Sequence, residues 1–123
     1  MTDQALRTTL AYFEAWTGGD FDKAMTYVSP DITCDAPAGR LQGAEAFRAF
    51  MGPFAGMLRS AGLRAAYGDD STALLMYDTE TALVAHAPGA ERHTVHDGLI
   101  THVQIIFDRL PFEEARRGAD QAR

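Results

Sequence analysis

The apolar residues of this chain change their spacing once, and that change limits the fold more than any other feature. Up to about Gly62 they recur every three or four residues, apart from one short strand; beyond it they alternate. Spacing of three or four buries one face of a helix, and spacing of two buries one face of a strand. Helices gathered before a run of strands exclude the strand–helix alternation of a parallel α/β sheet. They imply an α+β fold, with helices packed on one face of an antiparallel sheet.

Residues 3–17 carry Leu6, Leu10 and Phe13 on one stripe and Tyr12 and Trp16 on the adjoining one, and Gly18-Gly19 ends that helix. Asp20 is placed to cap a second helix over 21–28, closed by Ser29-Pro30. Residues 31–36 read as a strand that Pro37 and Gly39 terminate. A third helix begins near Gly43, with Phe47, Phe50, Met51, Phe54, Met57 and Leu58 on one face. Gly52-Pro53 predicts a kink or break within it. Four strands follow over 63–68, 72–85, 90–96 and 99–108, with turns at Gly68-Asp69-Asp70 and Asp97-Gly98. Pro111 opens a last helix from Phe112 to about Arg117. No repeat, low-complexity tract or linker interrupts the chain, so residues 1–123 are expected to form one domain. A curved sheet wrapped around the first helix leaves a cone-shaped cavity, a site suited to a small molecule.

Charge narrows the partners. Eleven Lys and Arg against 17 Asp and Glu give a net charge of −6, which argues against nucleic-acid and anionic-membrane surfaces. No apolar run approaches the roughly 18 residues of a membrane span. The opening Met-Thr-Asp-Gln-Ala lacks a signal-peptide pattern, and a cytoplasmic location is expected. Cys34 has no second cysteine to pair with and reads as a small buried hydrophobe. His93 and His96 fall on opposite faces of a strand, so no metal site is expected. No nucleotide or dinucleotide fingerprint occurs, and no cofactor is implied.

Three motifs in order carry a resemblance. They are Tyr12-Phe13-Glu14-Ala15-Trp16-Thr17-Gly18-Gly19-Asp20-Phe21-Asp22, then Glu91 through Ile100, and then Phe107-Asp108 with Phe112-Glu113-Glu114-Ala115. The chain resembles SnoaL-like proteins of the nuclear transport factor 2-like superfamily, over nearly its whole length. The resemblance implies a cone-shaped α+β fold around a buried pocket, often dimeric through the outer sheet face. It does not imply one activity, since that fold hosts isomerases, cyclases, epoxide hydrolases and pure binding domains.

Registers from two related enzyme groups then suggest site residues. Against ketosteroid isomerases, the oxyanion-hole tyrosine falls on Tyr12 and the protonated acid beside it on Glu91. The isomerases' general base falls on Ala36, with Asp35 one residue earlier and therefore on the opposite face unless a bulge intervenes. Against limonene-epoxide hydrolases, one acid falls on Asp78, while the arginine and second aspartate fall on Met76 and Ile105. That register brings Asp35 into the cavity, and the two registers disagree about it.

Tyr12, Asp78, Glu91 and His93 are thus the candidate catalytic groups. Ligand contacts are expected from Trp16, Asp35, Phe54 and Met76. Alternation in the last strand adds Val103, Ile105 and Phe107, on the face of Leu99 and Thr101. Its other face, Ile100, His102, Gln104 and Ile106, is expected to form a homodimer contact. The leading reading is an enzyme using acid/base chemistry on a small apolar molecule, of isomerase, cyclase or hydrolase type. The alternative is a non-catalytic ligand-binding or dimerisation domain. Convergence of Asp78, Glu91 and His93 would favour the enzyme; scatter, or a cavity filled by Phe47 and Phe54, the alternative.

Overall fold

The computed structural model describes residues 3–121. Helices α1 (Gln4–Thr17) and α2 (Phe21–Met25) open it, followed by strands β1 (Val28–Ala36) and β2 (Gly39–Gln42) and helix α3 (Ala44–Met57). Strands β3 (Leu58–Gly68), β4 (Thr72–Thr81), β5 (Gly89–His96) and β6 (Leu99–Phe107) come next, before helix α4 (Leu110–Gln121). The strands make one curved sheet, in the order β2-β1-β6-β5-β4-β3, packed on helices. The fold is α+β, as the change of spacing requires.

Every neighbouring pair is antiparallel except β1 and β6, which run parallel. A parallel pair needs a long crossover, and the chain from β2 through β5 supplies it. The hairpin at Asp97-Gly98 forms as expected, with φ of 52° and 77°, the left-handed pair that a tight two-residue turn requires. The turn before β4 has a second role. Its Asp69 carbonyl accepts hydrogen bonds from the Ala5 and Leu6 amides, and the Asp70 carboxylate accepts from that of Gln4. The otherwise unpaired N–H groups at the start of α1 are capped by the sheet rather than by Asp3.

Several boundaries differ from expectation for local reasons. Pro37 and Gly39 do not end the sheet; Gly39, at φ 141°, turns the chain back so that β2 pairs with β1. Gly52-Pro53 leaves α3 continuous. Strand β3 begins at Leu58, where the helical pattern still held. Strand β4 ends at Thr81, whose hydroxyl accepts from the Leu83 and Val84 amides and closes a turn.

The core lies between the helices and the concave face of the sheet. Its largest fully buried side chains include Trp16, Tyr12, Phe47, Ile32 and Ile100. Each large apolar side chain removed from water contributes about 1.5–3 kcal/mol. The buried stripe of α1 is Ala5, Thr9, Tyr12 and Trp16, with Phe13 beside it; Leu6 and Leu10 are only half-buried. A polar residue, Thr9, therefore sits at the centre of the helix's inner face.

Ile100 corrects the face expected for β6. The β5–β6 register shifts between Thr94 and Val95, so Val95 pairs with Ile100 and Thr94 with His102, leaving Thr101 as the extra residue. Such a bulge reverses the alternation. Ile100 is completely buried in the core together with Val103 and Ile105, while Ile106 is exposed. Three of the four residues expected on the outer face remain outside the core.

Candidate functional site

Two features define the site: a buried polar chain and an apolar cavity that meets it at one residue. Strand β5 alternates Gly89, Glu91, His93 and Val95 inward, all buried. A buried carboxylate and imidazole are costly unless every polar atom finds a partner. Here each does. The Nε2 atom of His93 lies 2.8 Å from Glu91 Oε1, and its Nδ1 lies 2.9 Å from Thr9 Oγ1 on α1. From β4, Tyr77 donates its hydroxyl proton to Glu91 Oε2 at 2.5 Å. The chain Thr9–His93–Glu91–Tyr77 thus ties α1 to the neighbouring strands β5 and β4.

The surrounding side chains are aromatic. Tyr12 meets the His93 ring edge-on, with centroids 5.4 Å apart. Trp16 stands 5.9 Å from both Tyr77 and Phe54. Burial, and then the Glu91 charge, push the Tyr12 and Tyr77 hydroxyls well above the usual phenol range. Both tyrosines therefore remain protonated at neutral pH. Burial likewise pushes the Cys34 thiol up to about 12, which makes it inert rather than nucleophilic.

The cavity has a volume of about 290 Å³ and lies between α3, α4 and the inner sheet face. Its wall is mostly apolar, including Phe54, Met57, Ile105, Phe107 and Phe112, and Tyr77 joins it to the polar chain. Gly89 makes room for that tyrosine. A Cβ at Gly89 would lie 3.0–3.1 Å from the Tyr77 ring edge and hydroxyl oxygen. Gly89→Ala is expected to push the phenol off Glu91 and cost about 1–3 kcal/mol by overpacking. Thermal unfolding of the variant checks this, and an unchanged midpoint would refute it.

Of the candidate catalytic groups, Tyr12, Glu91 and His93 come together, and Asp78 does not. Asp78 lies on the outer face of β4 with the exposed Leu74 and Met76. It pairs there with Arg64 at 2.5 Å and His86 at 3.3 Å, and the hydrogen bond from Arg64 holds its carboxyl below the usual range. Met76 is 53 % exposed, so it too is corrected from the ligand set. Both follow from alternation: the inward set of β4 is Leu75, Tyr77 and Thr79.

Asp35 is also outside. Its carboxylate takes two hydrogen bonds from Arg40, at 2.7 and 2.9 Å, and lies 3.3 Å from His102 Nε2. The hydrogen bond from Arg40 lowers its pKa. No bulge falls between Thr33 and Ala36, so Ala36 packs toward the core and supplies no base. Among the expected wall residues, Phe54, Ile105 and Phe107 line the cavity, whereas Trp16 and Val103 are buried behind it. Phe54 forms wall and Phe47 is wholly buried, and the cavity remains beside them. Among the described residues no three His, Cys, Asp or Glu side chains converge as metal ligands, and no helix is long and apolar enough to cross a membrane.

Sequence reasoning missed Tyr77 and Thr9. Tyr77 stood in the inward set of β4, opposite a glycine, but that cross-strand pairing is not written in the local pattern. Thr9 lay in the middle of a helical stripe, where a small polar residue between apolar flanks carries no local signal of a partner.

The SnoaL-like domain profile matches residues 9–103. The chain belongs to the SnoaL-like domain family. Its fold is the nuclear transport factor 2-like fold. A protein from Kribbella flavida, known from its crystal structure, is 60 % identical; the match covers 97 % of this chain and 98 % of that one, with a TM-score of 0.94. An NTF2-like protein of unknown function from Cytophaga hutchinsonii is 19 % identical, covering 88 % and 94 % of the two chains, with a TM-score of 0.72. A Jannaschia protein named as a SnoaL-like polyketide cyclase is 16 % identical, covering 93 % and 92 %, with a TM-score of 0.78. At these lower identities the likeness is one of fold. No curated protein matches the chain.

Proposed function

We propose that this SnoaL-like protein is an enzyme that moves one proton on a small, largely apolar molecule, with Tyr77 and Glu91 as the proton-handling pair. The observation that carries the reading is Tyr77, which lines the cavity and whose hydroxyl is bonded to buried Glu91 at 2.5 Å. A proton leaving the bound molecule passes to Tyr77 Oη as Tyr77's own proton passes to Glu91 Oε2. The electrons of the broken bond stay on the substrate, and the reverse transfer returns the proton to the same or a neighbouring atom. His93, held by Thr9, keeps Glu91 oriented; Tyr12 packs against His93 and supports it. Asp78, Asp35 and Met76 take no part.

Exchange of α-protons in bicyclic ketones such as 2-tetralone, followed by NMR in D₂O, tests this even while the natural substrate is unidentified. The expected result is exchange faster than in buffer, reduced about 10²–10⁴-fold in Glu91→Gln, as befits a positioned acid/base group. No acceleration over buffer, or equal rates in the two proteins, would leave a binding domain as the better reading.

A homodimer is the accompanying proposal. Tyr67, Leu74, Met76 and Ile106 are 53–73 % exposed on the outer sheet face. Sedimentation at micromolar concentration should give a dimer that Met76→Glu dissociates. A monomeric wild type would refute it.

A further inference from the structure

A second polar series lies across the sheet from the cavity, on the outer face of β1 and β6. It sits toward the β2 edge, away from Tyr67, Leu74 and Met76 on β3 and β4. Thr33 and Asp35 alternate outward along β1, and the parallel register sets His102 of β6 beside Thr33. Thr33 Oγ1 lies 2.6 Å from His102 Nδ1, and His102 Nε2 lies 3.3 Å from Asp35 Oδ2. Asp35 is fixed in turn by two hydrogen bonds from Arg40, at 2.7 and 2.9 Å. Burial does not demand this alignment. The His102 side chain is 20 % exposed and that of Asp35 38 %, so water reaches both.

The proton positions follow from Arg40. Its guanidinium keeps Asp35 ionised at neutral pH, and an ionised carboxylate only accepts. The proton of the neutral His102 ring therefore sits on Nε2, facing Asp35, and the Nδ1 lone pair accepts from the Thr33 hydroxyl. A hydroxyl bonded to an imidazole that a third group orients is the arrangement of an activated nucleophile. Gln104 pairs with Asp35 on one side and Arg92 on the other, and shares this face. Together Gln104 and Arg92 offer N–H donors for the charge that develops on an attacked carbonyl oxygen.

We infer that this cluster is a second reactive site, which accepts an acyl group on Thr33 from small carboxylic esters and passes it to water. His102 Nδ1 takes the hydroxyl proton as Thr33 Oγ1 bonds to the ester carbonyl carbon. The ester C–O bond breaks, and the leaving oxygen takes that proton from Nδ1. Water then attacks the acyl carbon and gives a proton to Nδ1, which returns it to the freed Thr33 oxygen. An alcohol and a carboxylic acid leave, and no electrons are exchanged with another reagent. Thr33 and His102 are the catalytic residues; Asp35 and Arg40 position them.

The test uses 4-nitrophenyl acetate, with release of 4-nitrophenol followed by absorbance and the acetylated peptide located by mass spectrometry. Wild type should hydrolyse it faster than buffer and carry acetyl on Thr33 during turnover. Thr33→Val should abolish that label, and Thr33→Val and His102→Gln should each lower the protein-dependent rate about 10²–10⁴-fold. Asp35→Asn should lower kcat and leave KM within about twofold, as befits a positioning residue. Absence of acetyl from Thr33 in the wild type would overturn the inference, even if Thr33→Val folds poorly. A rate that survives in Thr33→Val would overturn it too, since it would belong to the exposed imidazoles of His86 and His96. Acetyl that stays on Thr33 without steady turnover would overturn hydrolysis as the activity of the site.

Discussion

Glu91→Ala should lower the stability of this protein by about 3–5 kcal/mol, the usual cost of removing one partner from a buried polar pair. The change leaves the Tyr77 hydroxyl and His93 N–H buried without an acceptor, each costing about 1–3 kcal/mol. It also opens a void beside Tyr77 and His93. Since a domain of this size has only about 5–15 kcal/mol in total, much of its margin would go. Glu91→Gln keeps the shape but sets its amide N–H₂ against one of the two donors, so a smaller loss is expected. Urea unfolding of the three proteins measures this. A loss under about 1 kcal/mol for Glu91→Ala would mean that the buried chain does not hold the core together. The triple replacement Glu91→Leu, His93→Phe and Tyr77→Phe is the instructive control. Removing all the polar partners together should cost less than removing Glu91 alone, because no donor is stranded.

Alkaline pH should unfold the protein steeply, beginning near pH 9. Cys34 ionises ordinarily near 9.0 and is pushed up to about 12 in the fold. Tyr12 and Tyr77, ordinarily near 10.0, are pushed well above that, chiefly by burial. Below pH 9 both the folded and the unfolded chain keep these protons, and the groups do not disfavour either state. Above it the unfolded chain releases them first, binds fewer protons than the fold, and is favoured increasingly as pH rises. With all three ionised in the unfolded chain, the loss approaches roughly 4 kcal/mol per pH unit, enough to exhaust the total within a few units. Urea midpoints from pH 7 to 11 should stay level at first and then fall. Tyr12→Phe should make the fall shallower. A midpoint unchanged to pH 11 would contradict the burial of these groups.

Residue order alone settles the fold class. Apolar spacing depends on nothing else, and a helix or strand must bury the face that spacing defines. Hence the helices, the hairpin at Asp97-Gly98, and the shared strand face of Glu91 and His93, two residues apart, are all legible. So was the SnoaL-like resemblance, since its motifs are contiguous. What remained illegible depended on registers between segments far apart in the chain. Alternation puts Met76 and Asp78 on one face of β4 and Tyr77 on the other, yet it cannot say which set meets the helices. That was decided when β4 paired with β5, set Tyr77 opposite Gly89 and brought its hydroxyl to Glu91. Ile100 was misplaced because one bulge at Thr101, a feature of pairing rather than of composition, reverses the faces of β6. Thr9 took on a polar role only because α1 lies across β5 at His93. Local spacing chose the elements; long-range register chose which of their atoms meet, because a hydrogen bond depends on a distance of about 3 Å that no single segment can set.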